Sequence, residues 1–180
     1  WNAAGTKMLD GAEFKLYTSN MTGLTGTVLS IFGVDYMVYG TYTVSNGRLT
    51  VSDLPWGDYY FIETKAPTGY VLDETPHKFT IGADSLDVEL TGVENGITNE
   101  EELGSIKLVK TGKDGESLDG AVFALYKDGV RYPNDSTTYT TGSNGNAGEI
   151  VVDNLPFGTY YFVEISAPEG CELPTGDAAK

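Results

Sequence analysis

Two copies of one pattern run through the 180-residue chain, and their spacing constrains its fold more than any other feature. The block Leu9-Asp10-Gly11-Ala12-Glu13-Phe14-Lys15-Leu16-Tyr17 returns as Leu118-Asp119-Gly120-Ala121-Val122-Phe123-Ala124-Leu125-Tyr126, with seven of nine positions identical. A second block, Leu54-Pro55-Trp56-Gly57-Asp58-Tyr59-Tyr60-Phe61-Ile62-Glu63, returns as Leu155-Pro156-Phe157-Gly158-Thr159-Tyr160-Tyr161-Phe162-Val163-Glu164. After two further residues each continues as Ala-Pro-x-Gly, beginning at Ala66 and at Ala167. The offset is 109 for the first block and 101 for the second, so the first copy holds eight extra residues between Tyr17 and Leu54. A period near one hundred residues is that of a domain, not of a solenoid unit. The expected domains are 1–102 and 103–180.

Both copies read as β. Ala12, Phe14 and Leu16 alternate with polar or exposed positions, as do Ala121, Phe123 and Leu125, which is the period of a strand with one buried face. Thr41-Tyr42-Thr43-Val44, Ser45-Asn46-Gly47-Arg48 and Leu49-Thr50-Val51 read as strand, tight primed turn and strand, because Asn-Gly supplies the positive φ angles such a turn needs. Asn144-Gly145 and Gly148 fall in the same region of the second copy. No long segment shows a 3.6-residue apolar period. The fold class that follows is all-β, two β-sandwiches in tandem.

Charge narrows the function. With 26 acidic and 11 basic residues the net charge is -15, which disfavours nucleic acid and anionic membrane surfaces as partners. No stretch is apolar long enough to span a bilayer. One cysteine and one histidine leave no internal disulfide and no multi-histidine metal site, and no cofactor or metal is expected.

The alignment of the copies predicts gaps. Trp1 falls opposite Lys110, so the first copy has no counterpart of the strand Ser105-Ile106-Lys107-Leu108-Val109. Lys180 falls opposite Phe79, so the second has no counterpart of residues 80–99. The chain thus reads as a piece of a longer array.

Strand parity picks out the reactive groups, since alternate side chains share a face. Lys110 follows Ile106 and Leu108 on one face; Glu63 follows Tyr59 and Phe61; Glu164 follows Tyr160 and Phe162; Asn99 follows Ile97. Taken singly, each has a plainer reading: a lysine with a snorkelling stem, a solvated strand end, a turn residue before a linker. Together, polar groups at inward positions need a reason, because an unpaired buried charge costs several kcal/mol. A desolvated lysine amine is a nucleophile, and a buried glutamic acid can polarise an amide and relay protons. Attack on an asparagine carboxamide with loss of ammonia then leaves a Lys-Asn isopeptide between first and last strands.

The strand lysine, L-x-G-A-x-F-x-L-Y, L-P-x-G-x-Y-Y-F-x-E-x-x-A-P-x-G and a late Ile97-Thr98-Asn99 together resemble the Cna-B (SpaA-type) domains of Gram-positive pilins and collagen-adhesin stalks. The resemblance covers both halves. It implies immunoglobulin-like, Greek-key sandwiches, with Glu63 and Glu164 as the acids that promote the bond, Lys110 as the amine and Asn99 as the carboxamide. The first copy departs from the pattern in having no lysine at the strand position, and the second ends before an asparagine. The expected function is a structural stalk segment of a cell-wall-anchored adhesin or pilin, on the outside of a Gram-positive bacterium, and not a turnover enzyme. Its expected partners are other domains or subunits of the same surface protein, with strand donation from another chain. The alternative is an adhesin module that binds a host extracellular-matrix protein or glycan through residues 18–40, where Met21, Leu24, Val28, Ile31 and Phe32 are apolar.

Other signals are weaker. Leu173-Pro174-Thr175-Gly176 is one residue short of a sortase signal, and Tyr132-Pro133-Asn134 has asparagine where a pilin motif has lysine. Trp56 and Phe157 are expected to pack within their hairpins, and Cys171 to be a buried or idle thiol.

Overall fold

The computed structural model describes residues 1–83 and 96–173. It is all-β, with eleven strands and no helix among the described residues. The chain divides into two compact units, Trp1–Glu102 and Leu103–Lys180.

Unit 1 contains β1 (Glu13–Thr18), β2 (Val28–Ile31), β3 (Val34–Thr43), β4 (Gly57–Lys65) and β5 (His77–Ile81). They form one antiparallel sheet in the order β2-β3-β1-β4-β5. The alternation read in β1 is real: Phe14 and Leu16 are buried, with Ala12 just before the strand. Leu16 packs with Tyr59, Phe79 and Ile81, and the cluster is closed by Tyr39, Phe61, Val51 and Leu54. Phe79 stacks on Tyr59 at 5.4 Å and on Phe61 at 5.3 Å, so aromatic faces fill the layer beneath β4 and β5.

The outer face of β4 is covered too. Tyr60 packs with Ile31 and Tyr36, flanked by Tyr17 and Ile62. Residues 18–40 therefore build an edge strand and lay Ile31 and Tyr36 over the sheet. Val28 and Phe32 from the same insertion stay exposed. Phe32 and Gly33 turn the β2–β3 hairpin with φ of 50° and 80°.

The Asn-Gly turn forms as expected. Asn46 and Gly47 have φ of 52° and 67°, inside a Ser45–Arg48 bridge. The strand expected after it does not form: residues 49–51 belong to no ladder. In unit 2 the corresponding stretch pairs with the strand that opens that unit, and unit 1 presents no such partner among the described residues.

Unit 2 contains β6 (Leu103–Val109), β7 (Val122–Lys127), β8 (Val130–Tyr132), β9 (Tyr139–Thr140), β10 (Glu149–Pro156) and β11 (Tyr160–Ser166). β6 pairs with β10, while β7 is flanked by β11 on one side and by β8 and β9 on the other. The two sheets face each other across Ala121, Phe123 and Ile150, with Leu108, Val152, Tyr139 and Phe162 around them. Consecutive strands β6 and β7 lie in different sheets and β10 returns to β6, a Greek-key connection.

One smaller expectation is corrected. Trp56 and Phe157 are 65% and 68% exposed, so neither is a packing residue; each sits beside a glycine at a tight corner that leaves the ring no neighbour to cover it. Cys171 is exposed, which leaves the idle-thiol reading and removes the buried one. Asn134 caps its own loop, its Oδ1 accepting the backbone N–H groups of Ser136 at 3.0 Å and Thr137 at 3.1 Å. The sorting-signal reading at 174–176 lies outside the described residues, as does most of the expected last strand of unit 1.

Candidate functional site

The site in each unit is fixed by the strand that carries Tyr-Tyr-Phe. β4 sends Tyr59, Phe61 and Glu63 inward by parity, and Glu63 ends up 1% exposed. Its solvated-strand-end reading is thereby excluded. Asn99 is 4% exposed and its Nδ2 donates to Glu63 Oε2 at 2.7 Å and to the carbonyl of Val71 at 3.1 Å. The N–H of Asp73 donates to the same Oε2 at 2.9 Å. Asn99 is held from behind by backbone: its N–H donates to the Trp1 carbonyl at 3.0 Å and its own carbonyl accepts Ala3 N–H at 2.9 Å. Burial pushes the Glu63 carboxyl above its usual range, against the two hydrogen bonds, which favour the charged form.

In unit 2, β11 places Glu164 in the same way, 6% exposed. Lys110, one residue past β6, donates from Nζ to Glu164 Oε2 at 2.8 Å, and its side chain is 23% exposed. The strand geometry continues through it, since its N–H donates to Gly148 and its carbonyl accepts Leu118 N–H.

The predicted residues are thus brought together pairwise, acid with carboxamide in unit 1 and amine with acid in unit 2. In both units the second carboxyl oxygen, Glu63 Oε1 and Glu164 Oε1, is buried without a hydrogen-bond partner. An orphaned buried acceptor costs about 1–3 kcal/mol. No group of three or more His, Cys, Asp or Glu fit to hold a metal occurs among the described residues.

Sequence reasoning missed the groups that frame these sites. Asp10 Oδ1 accepts the N–H of Gly47 at 2.7 Å, and Asp119 Oδ1 accepts that of Gly148 at 2.6 Å. The two aspartates latch equivalent turns onto equivalent blocks, and their identity in the repeat was the available signal. Tyr59 and Tyr160 donate their hydroxyls to Pro55 and Pro156 carbonyls at 2.7 and 2.6 Å, pinning the corner that leads into each acid-bearing strand. The Asp73 amide had no signal, because any residue but proline supplies it.

Comparison with known proteins agrees with this framework. The family model described as SpaA, a prealbumin-like fold domain, matches residues 1–95 and 104–178. Among solved structures, the Bacillus anthracis TIE protein superposes with a TM-score of 0.62 at 22% identity, covering 93% of this chain and 27% of that one. A streptococcal ancillary pilin is 26% identical with a TM-score of 0.39, over 90% of this chain and 50% of its own. A C-terminal fragment of the pilus adhesin SpaC from Lactobacillus rhamnosus GG is 19% identical with a TM-score of 0.48, over 91% and 70%. The chain thus spans about a quarter of the first of these proteins and half of the second. Among curated proteins none matches its sequence significantly.

Proposed function

Because this chain belongs to the SpaA prealbumin-like fold family, we propose that it is a load-bearing stalk segment of a pilin or adhesin on the surface of a Gram-positive bacterium, closed in its complete form by Lys-Asn isopeptide bonds. One observation carries the reading. Two homologous buried glutamates hold the two halves of a single reaction, a lysine amine at 2.8 Å in one unit and an asparagine carboxamide at 2.7 Å in the other.

The chemistry balances without a cofactor. The ammonium passes a proton to the glutamate, and the free amine attacks the carboxamide carbon. A C–N bond forms, the attacking nitrogen passes its second proton to Nδ2 by way of the glutamate, the bond to Nδ2 breaks and ammonia leaves, and the carboxyl keeps the proton first taken from the ammonium. Burial favours the protonated acid, as for Glu63, and fixed neighbours replace the bimolecular encounter. Each bond forms once, so the unit is not a turnover enzyme. A bond joining the first and last strands puts a covalent link in the path of a pull on the chain ends. The partners are further domains or subunits of the same surface protein.

The test is intact mass. A longer chain that gives unit 1 a lysine-bearing strand and unit 2 an asparagine-bearing one is expected to weigh two ammonias less than its sequence. Glu63→Gln and Glu164→Gln should each restore one. An unchanged mass in the parent chain sinks the proposal.

A second reading has one observation in its favour. Phe32 is 85% exposed at the tip of the β2–β3 hairpin, between Val28 and Val34, each 49% exposed. This suits a host protein or glycan contact through residues 18–40. Phe32→Ser should abolish adhesion and leave the cross-link untouched; adhesion unchanged by that substitution removes the reading.

A further inference from the structure

Lys110 stands where the ladder of its own sheet has ended. The last pair between β6 and β10 is Val109 with Glu149, one residue short of the lysine. Its ammonium nevertheless sits 2.8 Å from Glu164 Oε2, and Glu164 is on β11 in the other sheet. A lysine stem is flexible, so the ammonium is only as well placed as the backbone that carries it.

That backbone is held by a closed ring of hydrogen bonds. Lys110 donates its N–H to the carbonyl of Gly148 at 2.8 Å, and its own carbonyl accepts the N–H of Leu118 at 3.0 Å. Asp119, the residue after Leu118, closes the ring, since its Oδ1 accepts the N–H of Gly148 at 2.6 Å. One carboxylate thus ties together the two segments that grip Lys110 from either side. The ring is tight. At Gly148, where φ is 71°, a Cβ would lie 2.7 Å from the Lys110 carbonyl oxygen, and at Gly142 a Cβ would overlap the Asp119 carboxyl group. The link recurs at both repeat offsets as Asp10 Oδ1 to Gly47 N–H, at 2.7 Å.

We propose that Asp119 is a positioning residue for the amine–acid pair of unit 2: acting through Gly148, it fixes the Lys110 backbone and so sets the ammonium against Glu164. The path runs through main chain, from Asp119 to Gly148 to Lys110. The ring uses the acceptor oxygen of Asp119 and not its charge, so asparagine can replace it and alanine cannot. What the ammonium is held for rests on the function proposed above; that Asp119 holds it does not.

The test reads the amine directly. The N-hydroxysuccinimide ester of acetic acid acylates lysine amines, and peptide mass gives the rate at Lys110 beside that at Lys107 on the same strand. Asp119→Ala should raise the Lys110 rate about fivefold, the effect of one ordinary hydrogen bond lost. Asp119→Asn should leave it unchanged, and Lys107 should not respond to either. Leu125→Val loosens the core at a position with no exposed surface and should leave the Lys110 rate alone. A rise there equal to that of Asp119→Ala would mean that any loss of stability frees the amine, and overturns the proposal. Glu164→Gln should raise the Lys110 rate by itself, and adding Asp119→Ala should raise it no further, because the charge that held the ammonium is already gone. Two rises that multiply overturn the positioning role. An unchanged rate in Asp119→Ala overturns it too, and leaves the proposed cross-linking site standing where Glu164→Gln still raises the rate. An unchanged rate in Glu164→Gln shows that the acid does not hold the amine, and removes that site and the positioning role together. Asp119 is exposed, so its replacement opens no cavity in the core. Should the alanine variant still fail to fold, Asp119→Glu, which overshoots the Gly148 N–H by one methylene, takes its place with the same expected rise.

Discussion

Asn99→Ala takes a side-chain donor at 2.7 Å from a carboxyl that is 1% exposed, and leaves the Asp73 N–H as the donor holding it. A hydrogen bond to a charged group is worth about 1.5–3 kcal/mol, and one to a neutral group about 1 kcal/mol. The substitution should therefore cost unit 1 about 1 kcal/mol while Glu63 is protonated and about 2 kcal/mol once it is ionised. The pH dependence has a definite sign. Burial raises the Glu63 pKa above the ordinary 4.5, so the folded form binds its proton more tightly than the unfolded one. The stability this confers is complete below pH 4.5 and is lost as pH rises through the folded value. Losing the Asn99 donor raises that value further, so the cost of Asn99→Ala should grow as pH rises through it. In a Glu63→Gln background it should stay flat, near 1 kcal/mol, since a glutamine oxygen accepts the same bond at any pH. Asp58, held below the usual range by its hydrogen bonds to Thr80 and Lys78, tilts the parent curve the opposite way, but this cancels in the difference between variants. Both tryptophans, Trp1 and Trp56, lie in unit 1, so their emission during urea unfolding reports that unit and not the other. A cost below about 0.5 kcal/mol at every pH, or one that falls as pH rises, refutes a buried hydrogen bond to an ionisable Glu63.

Lys110→Met should destabilise unit 2 by about 2 kcal/mol, less than the 3–5 kcal/mol of a fully buried broken pair because the lysine side chain is 23% exposed. It should shift the unfolding transition seen by far-UV circular dichroism but not by tryptophan emission. Asp119→Ala leaves the Gly148 N–H without its acceptor and should cost about 1–2 kcal/mol, with faster hydrogen exchange confined to that turn. Leu16→Ala, at a position with no exposed surface, should cost about 3–5 kcal/mol, and an effect below about 1 kcal/mol would contradict its place in the core.

The legible part of this chain was periodic. Phe14 and Leu16 announced their burial by alternation, whereas in β7 Ala124 between Phe123 and Leu125 is buried as well; parity also placed Glu63 and Glu164 at the ends of aromatic runs. The repeat did more than either copy alone, because it marked which inward polar residues recur. What stayed illegible depends on partners distant in the chain. Leu49-Thr50-Val51 has the composition of a strand, yet a strand exists only where another lies beside it. Trp56 read as a hairpin packing residue because Phe157 takes the equivalent place before a glycine, yet it stands 65% exposed. The Asp73 amide at Glu63 carries no side-chain signature at all.

The two units also show why the acid and not the amine or the amide marks the site. Lysine and asparagine are common on surfaces, where either is satisfied by water. A glutamate buried with one oxygen paired and the other bare is costly, and unit 1 and unit 2 both carry that cost at the same strand position. In unit 1 the paired oxygen holds a carboxamide, and in unit 2 an amine. If the glutamates served packing alone, a methionine of similar length would do better in both places. The expected result is that Glu164→Met raises the stability of unit 2 only when Lys110 is replaced by methionine as well. The single substitution strands the ammonium against an apolar wall. Should Glu164→Met alone stabilise the unit, the glutamate is not there to hold a lysine, and the reactive reading of both sites falls with it.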